Sequence, residues 1–175
     1  MNLTIAELLD YTEEERDKWR SWFAAQGNEP LKIALAGEAH SSIGALILHC
    51  FWAELFYAYW MRGETLSKES AVVKEHQALP NDQAEPIFNF GQTTRAELRA
   101  FTDTASPAAW ERVYEMNAYG FEARGPARKL IAHILLHEIR HWAQAAIIIR
   151  EHGLAPPGDH DIIFSKSFGS LARRS

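Results

Sequence analysis

The sequence predicts an all-α protein, a four-helix bundle with an irregular excursion before the last helix. Three observations carry this. Four long stretches hold apolar residues at helical spacing with capping signals at their ends. No pair of alternating runs promises a substantial sheet. The lengths of the four stretches suit a bundle. With 175 residues the chain is one domain, residues 1–175. Hydrophobic residues make up 47% and include six Trp, enough for one substantial core, which excludes a disordered chain.

The first helix is expected from Thr4 to about Gln26. Ile5, Leu8, Leu9, Trp19, Trp22 and Phe23 form its apolar side, and Thr4 with Glu7 fits a capping box. The charge run Glu13-Glu14-Glu15-Arg16-Asp17-Lys18 reads as its solvated face. Gly27 and Asn28 close it. The second helix runs from the Ser41-Ser42 cap to Gly63, with only His49 and Glu54 ionisable between Ile43 and Met61. This run approaches the length of a membrane span. The ionisable pair near its middle and a mean hydropathy of −0.27 for the chain favour a helix at the centre of a bundle instead.

Pro80, Asn81, Asp82, Pro86 and Gly91 mark a loop from Leu79 to Gly91 with room for a short helical stretch. A third long helix follows, opening on a possible capping box at Thr94-Arg95-Ala96-Glu97 and ending near Thr104. Ser106-Pro107 starts a brief turn. Arg112 to Arg124 reads as an extended excursion or irregular hairpin. The last helix lies between Pro126 and the stop at Gly153, backed by Pro156-Pro157. Gly158 to Ser175 is expected to be a strapped-down loop with a frayed end.

Charge and cysteine content narrow the function. A net charge of −5 and a pI near 5.9 leave no electrostatic footprint for nucleic acid or an anionic membrane. A single Cys forms no internal disulfide and points to the cytoplasm. Met1-Asn2-Leu3-Thr4 lacks a basic region followed by an apolar run, so no signal peptide is expected. Cys50, about 100° round the helix from His49, reads as a buried inert thiol.

The chemistry lies in the histidines. His133, His137 and His141 follow one another at four-residue steps, each rotating only about 40°, so all three share a helix face. Neighbouring pairs at this spacing can both reach one metal ion. His49 sits in the most apolar segment, with Ala45 and Ala53 one turn to either side leaving room beside its ring. A facing helix bearing two His could bring their nitrogens to the same point. Three protein ligands leave coordination positions open, the arrangement of catalytic metal sites.

His137-Glu138-Ile139-Arg140-His141 also spells H-E-x-x-H, in which two His bind zinc and the Glu is general base. The context is poor for a peptidase: Gln144 and Ile147 stand where an extended motif needs Gly and His, and no sheet edge is apparent. Glu138, about 100° from His137, reads better as a salt-bridge partner. His160, between Asp159 and Asp161, reads as a solvated loop residue. His40, His76 and His152 sit near element ends, where exposed or capping roles suffice.

Ser42-Ile43-Gly44-Ala45-Leu46-Ile47-Leu48-His49, followed by His133-x3-His137-x3-His141-Trp142-Ala143-Gln144, resembles the DinB/YfiT family of proposed metalloenzymes. Their pattern has one His on the second helix, then H-x3-H ahead of a small residue and Gln on the last. The likeness spans nearly the whole chain, including the Glu7-Leu8-Leu9-Asp10 opening. The resemblance implies a metal triad of His49, His137 and His141, with His133 one turn outside. It further implies a four-helix bundle, often dimeric, binding a divalent ion (nickel or zinc). Some relatives are S-transferases or isomerases that use a low-molecular-weight thiol, mycothiol or bacillithiol. Where the family commonly reads His-Arg-Gly-Gln, this chain carries Trp142-Ala143-Gln144 after His141.

The expected function is that of a metal-dependent enzyme of the thiol S-transferase type, activating a thiol or water for attack on a small-molecule substrate. No catalytic side chain is assigned. The alternatives are a non-catalytic metal or small-ligand binding protein and an H-E-x-x-H zinc peptidase. Two structural expectations accompany it. Glu54 needs a buried partner, for which Arg140 on the last helix is the candidate. The aromatic residues all round the second helix, from Phe51 to Trp60, predict a homodimer.

Overall fold

The computed structural model describes residues 3–35, 40–64, 66–118 and 121–166. Helix α1 (Ile5–Gln26) starts at the expected capping box: Thr4 Oγ1 accepts from the Glu7 amide at 3.2 Å, and Glu7 Oε2 accepts from the Thr4 amide at 2.7 Å. It stops at Gly27, whose φ of 82° suits glycine. Helix α2 (Ile43–Met61) is capped by Ser42, whose hydroxyl accepts from the Ala45 amide at 3.2 Å. The loop bearing Asn81 lies directly on Gly44: a Cβ there would stand 1.7 Å from the Asn81 carbonyl oxygen.

A short helix α3 (Ala71–Ala78) precedes α4 (Ala84–Thr102). This corrects the loop expected from Leu79 to Gly91, since α4 begins seven residues before Gly91. Pro86 falls in its first turn, where the missing N–H has no helical partner to lose. Gly91 falls mid-helix because the Phe51 ring presses on it; a Cβ would meet that ring at 2.6 Å. Thr94 and Glu97 are therefore helical residues and not a capping box, and the Thr94 hydroxyl donates to the Gly91 carbonyl at 2.9 Å.

Ser106 caps the brief α5 (Pro107–Glu111) as expected. The excursion is a regular antiparallel hairpin of β1 (Val113–Ala118) and β2 (Phe121–Pro126), in register from Val113↔Pro126 to Ala118↔Phe121. Helix α6 (Ala127–Glu151) follows at once and ends before Gly153, with φ 78°.

In the bundle α1 and α2 each lie against both α4 and α6. The apolar α2 is mostly buried among them, which accounts for its composition without a membrane. At the centre sits a charge cluster built from one residue of each long helix: Arg16, Glu54, Arg95 and Glu138, exposed by only 6, 2, 3 and 3%. Arg16 Nε donates to Glu138 Oε1 at 2.6 Å, and its Nη2 to Glu54. Arg95 Nε donates to Glu54 Oε1 at 2.6 Å and its Nη2 to Glu138 Oε2 at 3.1 Å. Burial disfavours the Glu54 charge, but Arg16 and Arg95 outweigh it and hold the carboxyl below its ordinary value. The Arg16 guanidinium, equally desolvated, is held above its own by Glu138 and Glu54.

Two expectations are overturned here. Glu54 does not pair with Arg140, which is exposed; its partners come from α1 and α4. The charge run of α1 is not wholly a solvated face, because Glu15 and Arg16 point inward.

The aromatic side of α2 is partly covered within the chain, with Trp52, Phe56, Tyr59 and Trp60 half-buried. Phe51, Leu55 and Tyr57 are buried. His76 of α3 stacks on Trp52 with ring centroids 4.4 Å apart, and Tyr114 of β1 packs edge-on to Trp60. The segment after α6 returns across α1, where Trp22 Nε1 donates to the Ala155 carbonyl at 2.7 Å and the Tyr11 hydroxyl to that of His160. His160 is accordingly no solvated loop residue: it stacks on Trp19 and its Nδ1 lies 2.5 Å from Glu15 Oε2. Residues 167–175, expected to fray, lie outside the described residues.

Candidate metal centre

Helices α2 and α6 run antiparallel, which sets His49 opposite His137 and Tyr57 opposite His133. The core cluster fixes the rotation of both helices. With Glu54 and Glu138 turned inward, His49 and His137 stand on the outer side of the same seam, half-buried. Their Nε2 atoms are 3.3 Å apart, and His141 Nε2 lies 3.0 Å from His137 Nε2. One ligand atom from each of the three falls within 4.8 Å of the others, so the described residues contain a three-His group able to hold a metal ion.

The arrangement fits an ion better than a hydrogen-bonded trio. A neutral imidazole carries one N–H, so His137 Nε2 can offer its single lone pair or its single proton, not satisfy two neighbours at once. Two nitrogens bound to one ion at about 2.0–2.1 Å stand roughly 3 Å apart, which is the spacing seen. His141 Nδ1 lies 3.0 Å from Gln144 Oε1. An amide oxygen only accepts, so Nδ1 carries the proton and Nε2 presents its lone pair to the centre. His137 Nδ1 is buried with no hydrogen-bond partner among the described residues.

Protonation also favours ligation. Burial, then the neighbouring His40 and His141, pushes the His49 pKa down from 6.5 to about 4. Burial, then His141 and His49, pushes His137 down to about 3. Both rings are thus neutral, the form that binds metals, through the physiological range.

The remaining candidates fall away from the centre. His133 is exposed, one turn beyond His137, and is outside the three-nitrogen group. Glu138 is committed to the core: its oxygens accept from Arg16 and Arg95, and Oε1 also from Trp142 Nε1 at 3.1 Å. It cannot serve as the general base that the H-E-x-x-H spelling suggests, and the peptidase reading loses its essential group. Cys50 is buried on the core side, its thiol pushed well above the usual range by desolvation and the Glu138 charge. His152 ends α6, where its Nδ1 lies 2.9 Å from the Ile148 carbonyl oxygen.

Sequence reasoning missed His40. Its ring lies beside His49 with centroids 4.2 Å apart, although its place near an element end suggests no more than an exposed or capping role. No periodicity marks it, because it lies on the irregular segment that enters α2.

Comparison with solved structures finds the same fold in a crystal structure of a DinB-like protein from Bacillus subtilis. The TM-score is 0.56 at 15% identity, covering 87% of this chain and 96% of that one. No curated protein matches the chain. The DinB family model, however, matches residues 1–167. On that match over nearly its whole length, the chain belongs to the DinB family.

Proposed function

We propose that the protein is a divalent-metal-dependent enzyme of the thiol S-transferase type, holding nickel or zinc at His49, His137 and His141. The convergence of three Nε2 atoms from two helices carries this reading. Membership of the DinB family supports it. Three imidazoles leave coordination positions for a further molecule. When bound, the ion would lower the pKa of a thiol or water held at such a position, for attack on a small-molecule electrophile. The chain's own part is to keep His49 and His137 neutral by burial and to aim His141 through Gln144. The reading places the protein in the cytoplasm, where low-molecular-weight thiols are reduced.

The test is metal analysis of the purified protein followed by assay with low-molecular-weight thiols and generic electrophiles. About one ion per chain is expected, lost on replacing His49, His137 or His141 by Ala and kept in His133→Ala. Turnover should need both metal and thiol. Stoichiometric metal without turnover would leave a metal or small-ligand binding protein. Absence of metal from a protein given nickel and zinc would remove the proposal altogether.

A further inference from the structure

We propose that the Tyr57 hydroxyl is a substrate-binding group of the metal centre, donating a hydrogen bond to an oxygen atom of the small molecule that occupies the site. The inference rests on the metal-binding reading above. It adds a substrate class: an electrophile that carries an accepting oxygen, such as a carbonyl compound or an epoxide.

A contrast among the buried tyrosines carries it. Tyr11, Tyr57 and Tyr114 are exposed by only 5, 8 and 7%. Tyr11 donates to the His160 carbonyl, and Tyr114 to the Met61 carbonyl at 2.8 Å. The Tyr57 hydroxyl makes no hydrogen bond to any described residue. Buried tyrosine hydroxyls ordinarily find a partner, and this one calls for a partner from outside the fold. Burial also raises the Tyr57 pKa, so the group remains a phenol with a proton to donate.

Its place in the seam says which partner. The Tyr57 ring lies 6.1 Å from that of His133, centroid to centroid, and His133 lies 6.0 Å from His137. His137 in turn lies 5.1 Å from His49. These rings bound one stretch of the seam between α2 and α6, with the three-nitrogen group at one end and Tyr57 at the other. Ala53, one helical turn from both His49 and Tyr57, places only a methyl group between them. Side chains of an α-helix lean towards its N-terminus, so the Tyr57 phenol leans towards Ala53 and His49. Phe56 and Trp60 hold its ring there, at 6.1 and 5.9 Å.

The other donors near His137 are weaker candidates. His133 and Arg140 are both exposed, so a hydrogen bond from either competes with water. A bond from the sheltered Tyr57 hydroxyl keeps more of its strength. It selects among electrophiles, because a carbonyl or epoxide oxygen gains the bond and an alkyl halide gains nothing.

The experiment compares Tyr57→Phe with the unaltered whole chain, both loaded with cobalt(II). Binding of acetate and of ethanethiol is followed by the visible absorption of the cobalt. Acetate has one oxygen for the ion and a second to accept from Tyr57, whereas ethanethiol binds through sulfur and has no oxygen. Tyr57→Phe is expected to keep about one ion per chain, to bind acetate at least about tenfold more weakly and to bind ethanethiol within about twofold of the unaltered protein. The metal-free variant should melt at or above the temperature of the unaltered protein, since it has lost only an unpartnered hydroxyl. Equal acetate affinity would overturn the inference, as would parallel weakening of both ligands. A melting temperature lowered by several degrees would also overturn it, by showing that the hydroxyl is already paired inside the protein. If the unaltered cobalt form binds ethanethiol and not acetate, this inference fails and the metal-binding reading stands. If the unaltered protein takes up no cobalt, both fail together.

Discussion

Burial at His49 and His137 does more than prepare two ligands. It makes the metal-free protein sensitive to acid. An imidazole that refuses a proton when folded takes one when unfolded, so below the ordinary value of 6.5 the unfolded chain binds more protons than the folded one. Stability should fall as pH drops from about 6.5 and level off once the folded-state values of about 4 and about 3 are passed. Carboxylates titrate in part of this window, so the informative quantity is a difference. The melting temperature of metal-free protein should decline more steeply between pH 6.5 and 4 than that of His137→Ala. Equal slopes would show that burial of this ring carries no protonation cost. The chelated protein is expected to remain folded at neutral pH, because two helical faces packed on apolar residues do not depend on an ion as a zinc finger does.

Among the elements, the contact between α2 and the loop before α4 leaves no slack. Gly44→Ala would drive a methyl group into the Asn81 carbonyl, both of them backbone-anchored. A loss of about 1–3 kcal/mol is expected from such overpacking, read from the shift in a urea midpoint. A loss below about 0.5 kcal/mol would mean that the loop yields freely. Helix ends of this kind were legible in the sequence because caps are local: Thr4 with Glu7, Ser42, Ser106 and Gly153 each act within one turn. His137 and His141 were legible for the same reason, and His49 through its place in an otherwise apolar run. The partners of Glu54 were not. Arg16 lies inside a charged stretch that looks solvated, and Arg95 inside a sequence that imitates a cap. Only helix packing brings them to α2. Pro86 and Gly91 misled in the opposite sense, each having a helical use that its residue type conceals.

At the scale of the molecule, α3 and the hairpin pack on Trp52 and Trp60 and cover part of the aromatic face on which the expected homodimer rests, leaving both half-exposed. On α6, Leu136 and Ile147 are apolar and more than half exposed. They border a groove of about 650 Å³ against α1, with Leu8, Ile139, Ala143 and Ile162. The homodimer remains a proposal, with this side of α6 as a second candidate face. Light scattering should return about twice the 19.9 kDa chain mass, and Ile147→Glu the single-chain mass. A single-chain mass for the unaltered protein would end the proposal.

The central charge cluster has a consequence in time as well as in space. Its bonds join residues 38, 41, 43 and 122 positions apart, so none can form within one helix or one hairpin. Until all four helices have docked, these side chains are better solvated by water than by one another. The cluster is therefore expected to assemble after the rate-limiting barrier to folding and to slow the reverse passage. Arg16→Met, which strands two buried carboxylates with one arginine, should cost about 3–5 kcal/mol. In a chevron plot nearly all of that cost should appear as faster unfolding, with the refolding limb scarcely moved. Slower refolding in proportion to the lost stability would instead place the four charges together before the barrier is crossed.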